Sequence, residues 1–248
     1  MELLTASSIS VPHGFPTRAG GVSGKPFDSL NTSFGVGDDP LAVRENLARL
    51  SASARVEPSK LHFVKQVHGD RVVEASAATP ETEADAVWTE VPGTAVGVRT
   101  ADCVPILIED PGGRVAAVHA GWRGVENEIV TRTIERLVAR GGELAQLRFA
   151  IGPCIQRCCF EVDGDLPRRF EAAFGAKVVV RSGEQIKPHL DLPLAVQETL
   201  SRLGVPEGHV AVLPQCTMCD ARFFSHRREH GVTGRHLSFI TLPGAAAL

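Results

Sequence analysis

The chain has 248 residues, 43% of them apolar and 22% charged, and a formal net charge of -3. That length holds one large domain or two small ones, with ample Val, Leu and Ile for a core. The charge balance argues against a nucleic-acid or membrane partner, and no apolar run nears the roughly 18 residues of a bilayer span.

Glu2 stands where a signal peptide would carry Lys or Arg, so a cytoplasmic protein is expected. In that compartment the six cysteines are thiols or metal ligands rather than a disulfide framework.

Residues 13–38, HGFPTRAGGVSGKPFDSLNTSFGVGD, form a long glycine-rich connection of the kind that carries function. DDPLAVRENLARLSA then predicts a helix capped by Asp39, with Pro40 at its first position and Leu41, Leu47 and Leu50 inward. LHFVKQVHG reads as a short strand ending at His68, and the acidic ETEADAVWTE leads to a Pro92–Gly93 turn.

TAVGVRTADCVPILIED is strand-like at both ends, DPGG suits a type II turn, and RVAAVHA returns as a strand. After GWRG, the run VENEIVTRTIERLVARGG predicts one helix. Val130, Ile134, Leu137 and Val138 form its apolar face, and Gly141 and Gly142 stop it. Further on, LRFAIGP, KVVVRS, HVAVLP and RHLSFITLP read as strands, DLPRRFEAAFG and LDLPLAVQETLSRLG as helices, and the Ala tail after Pro243 as frayed. Strands in both hairpin and crossover contexts point to an α+β fold with mixed β-sheets, and with no polar linker the expectation is a single domain over residues 1–248.

Three residues stand out by context: His68 in QVHGD, Cys103 in TADCVP and His119 in VHAGWRG. Each ends an apolar segment beside Gly, Pro or a small residue. Two imidazoles and a thiolate make a zinc set with a fourth position open to water. A buried thiol and two hydrogen-bonded histidines would use the same residues. A hairpin pairing Asp110 with Gly113 sets Val104 opposite His119, which puts Cys103 and His119 on opposite faces unless a bulge or longer loop intervenes.

GWRG lies between a strand and a helix N-terminus, where free amides and Arg123 suit an anion. A plain turn with Trp122 as a packing anchor is the alternative. CTMCD (216–220) and CIQRCC (154–159) bring together five thiols, four of which could hold a structural zinc, form a redox pair, or stay unligated. The basic FFSHRREHGVTGRH suits a phosphate pocket or a solvated loop.

In order along the chain, HGFPTRAGGVSGKPFDSLN, GDDPLAVRENLARL, QVHGD, ADAVWTEVPG, TADCVPILIED, VAAVHAGWRG, AIGPCI, FEV, CT, FFSHRR and GR resemble the YfiH-type family. That family also carries the labels laccase-domain protein, polyphenol oxidase and purine nucleoside phosphorylase. The match spans His13 to Leu242 and departs at Phe160, where the family often has Tyr; this chain has none.

The resemblance implies an αββα-type sandwich and a zinc held by His68, Cys103 and His119. It also implies phosphorolysis of adenosine, inosine and methylthioadenosine and deamination of adenosine, with some members linked to peptidoglycan editing. For that chemistry Arg18, Arg123 and the GWRG amides are candidate phosphate ligands, Asp102 a proton carrier or orienter beside Cys103, and Gln66 and Asn31 readers of base or ribose.

A cysteine hydrolase would use Cys103 as nucleophile and His119 as base. A copper laccase would need clustered histidines, and the sequence has no His-x-His. A non-catalytic binding module is the third class, and the open metal position argues against it.

Overall fold

The computed structural model describes residues 1–181 and 187–244. In chain order its strands are β1 (Leu3–Leu4), β2 (His13–Pro16), β3 (Leu61–His62), β4 (Val72–Glu74), β5 (Ala86–Thr89), β6 (Thr94–Thr100), β7 (Val104–Asp110), β8 (Arg114–Ala120), β9 (Arg148–Ile151), β10 (Val179–Val180), β11 (His189–Leu190), β12 (Val210–Val212) and β13 (His236–Leu242). The helices are α1 (Pro40–Ser53), α2 (Trp122–Glu126), α3 (Ile129–Ala139), α4 (Leu166–Phe174) and α5 (Leu192–Leu203). The Ala tail expected to fray lies outside the described residues.

Two mixed sheets form the centre. One runs in the order β1-β2-β13-β6-β3 and the other β12-β9-β7-β8-β5-β4, with β10 and β11 as a separate ribbon. Alternation along the strands dictates the layers. Val96, Val98 and Ile240 of the first sheet pack with Val87, Leu107, Val115 and Ala117 of the second.

The other face of the second sheet, with Ile106, Ile108, Ala116 and Val118, is covered by Ile129, Ile134, Leu137, Phe170, Val196 and Leu200 from α3, α4 and α5. The outer face of the first sheet, with Ala95, Leu237 and Phe239, receives Leu50 of α1. The result is an αββα sandwich. No helix among the described residues is long and apolar enough to cross a membrane.

Several local expectations change. The Asp39 carboxylate caps α1 through the Leu41 amide at 2.9 Å, as its sequence predicts. Leu41, however, is 68% exposed, and the buried face runs through Val43, Asn46 and Leu50. Asn46 is inward because its amide clasps the glycine-rich connection, donating to Ser23 Oγ and to the carbonyls of Ser29 and Asn31.

The single helix predicted after GWRG breaks into α2 and α3 at Glu128, whose φ of 62° is left-handed. Val138 is exposed, while Val130, Ile134 and Leu137 are buried. The amides of Gly141 and Gly142 close the end of α3 on Val138 and Leu137, in the manner of a Schellman cap.

The turn between β7 and β8 is the consequential correction. Asp110 pairs with Arg114, so the loop has three residues, Pro111 to Gly113. The Gly113 amide bonds the Asp110 carbonyl at 2.9 Å, and Gly113 itself holds φ 93° while Gly112 does not enter positive φ. This is a three-residue hairpin loop closed by a left-handed glycine, not a type II turn.

Candidate metal centre and substrate cleft

The longer loop moves the hairpin register by one residue. Pro105, rather than Val104, stands opposite His119. Directly paired residues share a face, and so do residues two apart. Cys103, two residues before Pro105, therefore comes to the same side as His119, at the end of the face that packs between the sheets.

His68 arrives from the connection after β3, in a left-handed turn with φ 59°. Its Nε2 lies 3.8 Å from Cys103 Sγ, and its ring meets that of His119 edge-on at 4.8 Å between centroids. One donor atom from each of the three falls within 4.8 Å of the other two. A Cβ on Gly121 would lie 3.0 Å from His68 Cδ2 and 3.2 Å from Cys103 Sγ, so the glycine opening GWRG leaves room for the convergence.

Behind the trio stands Asp85, fully buried. One carboxylate oxygen accepts the His119 Nδ1 proton at 2.7 Å and the His68 amide at 2.9 Å; the other accepts the amides of Gly69 at 2.7 Å and Val67 at 3.2 Å. Burial opposes charge on Asp85, but these bonds, led by that from His119, hold its carboxyl below the usual range.

Burial likewise opposes charge on His119 and Cys103, but their mutual attraction, joined by Asp85 at His119 and by His68 at Cys103, outweighs it. The imidazole is held up at about 9 and the thiol down at about 6. Fixing the proton on Nδ1 leaves Nε2 of His119 as the donor facing its partners, the arrangement that orients metal-bound histidines. Donors 2.0–2.3 Å from a shared tetrahedral zinc would stand roughly 3.6 Å apart. The donor set fits zinc.

The trio opens into a cleft of about 820 Å³, lined by Phe34, Phe63, Trp122 and Phe160 among its apolar residues and by Arg99, Arg123, Arg227 and Arg235. That volume suits a small-molecule ligand.

A family model described as "Multi-copper polyphenol oxidoreductase laccase" matches residues 12–243. The chain belongs to this family.

Among relatives, a protein of Deinococcus radiodurans named purine nucleoside phosphorylase is 40% identical over 245 residues, covering 98% of this chain and 94% of that protein. A purine nucleoside phosphorylase of Pseudomonas aeruginosa is 40% identical over 230 residues, 91% of each chain. The structure of the hypothetical protein YfiH from Bacillus licheniformis superposes with a TM-score of 0.87 at 31% identity, covering 93% of this chain and 92% of that one. A Neisseria meningitidis protein, NMB0706, gives 0.87 at 34% identity, covering 98% and 100%. The resemblance read from the motifs is thereby confirmed, as is the mixed α+β fold.

Against this family background, the sequence-predicted site residues divide. His68, Cys103 and His119 converge as described, and Arg123 lies at the cleft, exposed and stacked on Trp122 at 4.3 Å. Asp102 lines the cleft at a φ of 92°, but both carboxylate oxygens are engaged, by the Thr217 hydroxyl at 2.6 Å and the Arg227 amide at 2.7 Å. These two bonds brace the backbone next to Cys103.

Gln66 lines the cleft with both ends of its amide bonded to the Arg99 backbone, at 2.7 Å each. Arg18 and Asn31 are not among the lining residues. Arg18 is paired with Glu229 at 2.8 Å and with Asp28. Asn31 is buried, its amide spent on Ser33, Asp38 and the Arg235 amide.

Two residues escaped the sequence reading. Asp85 was hidden in an acidic run that looks like solvated surface. Arg99 sits on β6 with its guanidinium carbon 3.9 Å from the centre of the Phe63 ring, and its Nε and Nη2 are buried without a hydrogen-bond partner among the described residues. Burial lowers its pKa to about 10. The available signal was a lone charge inside the otherwise apolar TAVGVRT. From the basic C-terminal segment, His226, Arg227 and Arg235 reach the cleft.

Proposed function

We propose that this chain is a zinc-dependent purine nucleoside phosphorylase, acting on adenosine, inosine and methylthioadenosine, that also deaminates adenosine. One observation carries the reading: a single cleft joins a half-buried guanidinium, two of whose nitrogens are buried without a hydrogen-bond partner among the described residues, to a three-donor His–Cys–His cluster, between aromatic walls. A buried cation with unmet donors favours an anion such as phosphate. Phe34, Phe63, Trp122 and Phe160 offer flat apolar surface for a purine. The relatives named purine nucleoside phosphorylase support the same substrate class.

In phosphorolysis a phosphate oxygen forms a bond to ribose C1′ as the C1′–N9 bond breaks, and the purine leaves with a proton. Arg99 and Arg123 hold the phosphate, the first from a fixed position against Phe63 and the second from the exposed rim. His68, Cys103 and His119 would hold the zinc, with Asp85 setting the direction of the His119 imidazole and anchoring the backbone turn that carries His68. Bound there, zinc supplies Lewis acidity at the reacting oxygen. Asp102, anchored to Thr217 and Arg227, keeps the Cys103 backbone in place. The family description names copper, but the imidazole-bearing cluster among the described residues has two imidazoles and one thiolate, far from a multicopper set.

The test follows adenosine and inosine by chromatography, with and without phosphate, on zinc-loaded protein. Free base released only with phosphate, and lost in folded Cys103→Ala and His119→Ala variants, is the expected result. Conversion of adenosine to inosine without phosphate reports the deaminase arm. Zinc-loaded protein that leaves every nucleoside intact overturns the reading.

A cysteine hydrolase draws on one observation, the lowered thiol of Cys103 beside two imidazoles. Iodoacetamide separates the two: zinc protects a ligating Cys103, whereas a free nucleophile alkylates whether or not zinc is present.

A further inference from the structure

Four of the six cysteines lie outside the cleft machinery and gather at one point. Cys158 and Cys159 sit in a tight turn after β9, where the amides of Cys159 and Phe160 both bond the Gln156 carbonyl. Cys216 and Cys219 form the CxxC turn after β12, closed by the Asp220 amide on the Cys216 carbonyl at 2.9 Å. Parallel pairing of β12 with β9 carries the two segments side by side, and a bridge between Cys154 and Cys216 holds them there.

All four are free thiols whose sulfurs fall within 4.8 Å of one another. Cys219 Sγ lies 3.3 Å from Cys159 Sγ and 3.7 Å from Cys158 Sγ. Four sulfurs bound at about 2.3 Å to a tetrahedral zinc stand about 3.8 Å apart, so these contacts are near the edge length of a zinc–tetrathiolate. Cys216 Sγ also receives the backbone N–H of Gln156 at 3.5 Å, which ties the CxxC turn to the segment carrying Cys158 and Cys159.

We propose that Cys158, Cys159, Cys216 and Cys219 form a structural metal site, separate from the substrate cleft, that takes zinc as a closed tetrathiolate. Binding releases the four thiol protons and forms four Zn–S bonds, with no change of oxidation state. The clip has a direct line to the cleft. Thr217, inside the CxxC, donates its hydroxyl to Asp102, and the Ile155 amide, from the partner segment, donates to the Asp102 carbonyl at 2.9 Å. Arg228 ties the same loop through the carbonyls of Thr217 and Met218. Zinc at the thiols fixes both segments that hold the residue next to Cys103. This assignment stands whether or not the cleft phosphorolyses nucleosides.

The test is metal analysis of the full-length protein purified under reducing conditions with zinc. The cleft variant Cys103→Ala, which keeps all four thiols, is expected to retain one tightly held zinc per chain and to lose it on the further change Cys219→Ser. Cobalt loaded into Cys103→Ala protein is expected to give the intense sulfur-to-cobalt charge-transfer absorption of a tetrathiolate. That readout depends neither on activity nor on a variant at the thiols that folds poorly. Cys103→Ala protein that holds no zinc and gives no thiolate–cobalt absorption overturns the proposal. So does an intact mass, measured without reductant, showing Cys219 joined to Cys158 or Cys159 by a disulfide in the freshly purified protein.

Discussion

Asp85 holds His119 at two points: its carboxylate accepts the ring Nδ1 proton at 2.7 Å and its carbonyl accepts the backbone amide at 2.7 Å. The same carboxylate receives three amides from the turn that presents His68. One buried acid therefore sets two of the three donors. Asp85→Asn is expected to turn one of these acceptors into a donor and lower zinc affinity by about 10- to 100-fold. A chelator competition titration on the folded variant measures it, and unchanged affinity contradicts the role.

Gly121 tests the packing of the centre rather than its chemistry. Its φ of -68° and ψ of 168° suit alanine, so the substitution strains no backbone. The new methyl meets His68 and Cys103 at the distances given above and pushes the donors apart. Gly121→Ala is expected to keep its circular dichroism spectrum and lose about tenfold in zinc affinity. Intact affinity would show that the centre accommodates the methyl and does not need the glycine.

Arg99→Met addresses the phosphate. Losing a charge-assisted contact of about 2 kcal/mol raises the KM for phosphate roughly 30-fold. The KM for nucleoside should move far less. Removing a half-buried cation with two buried, unmet donors should also leave the melting temperature level or higher. A variant whose phosphate dependence matches the parent would assign Arg99 to packing against Phe63.

His236 supplies a pH signature away from the centre. It is buried, its Nε2 accepts the Phe224 amide at 2.7 Å, and burial pulls its pKa down to about 3. In the unfolded chain the group titrates near 6.5, so between these values the unfolded state binds the extra proton and stability rises with pH. The contribution is complete above about 6.5 and is lost as pH falls toward 3, on the order of 5 kcal/mol at most. Imidazole NMR shifts that stay in the neutral form down to pH 4, together with a shallower acid loss in His236→Gln, are the expected results.

Sequence patterns carried much of the architecture and the trio, and the misses have identifiable causes. His68, Cys103 and His119 were legible because each closes an apolar segment beside a small residue. The α1 cap was legible because Asp–Pro has one dominant use at a helix start. The hairpin register was not. Pro–Gly–Gly satisfies two turn types, and which glycine turns left-handed depends on the strands it joins.

Asp85 and Arg99 were missed for opposite reasons. One was camouflaged by acidic neighbours that remain at the surface, and the other was read as one polar position in a strand. Gln66 and Asn31 look like ligand readers in sequence, but folding engages the Gln66 amide with the Arg99 backbone and the Asn31 amide with Ser33, Asp38 and the distant Arg235 amide. The helix after GWRG has continuous apolar periodicity, and nothing local signals the left-handed Glu128 that divides it.

The loop from Pro111 to Gly113 lies at the far tip of a hairpin, about 20 Å along the strands from the His119 end. Hairpin tips usually absorb insertions and deletions without functional effect. Here the number of residues in the loop matters more than their identity. Shortening it by one would let β7 and β8 zip with as many hydrogen bonds but return Cys103 to the face opposite His119. Homologues free to vary this tip in composition would therefore be held to its length, and a protein engineer seeking a place to graft a tag should look elsewhere.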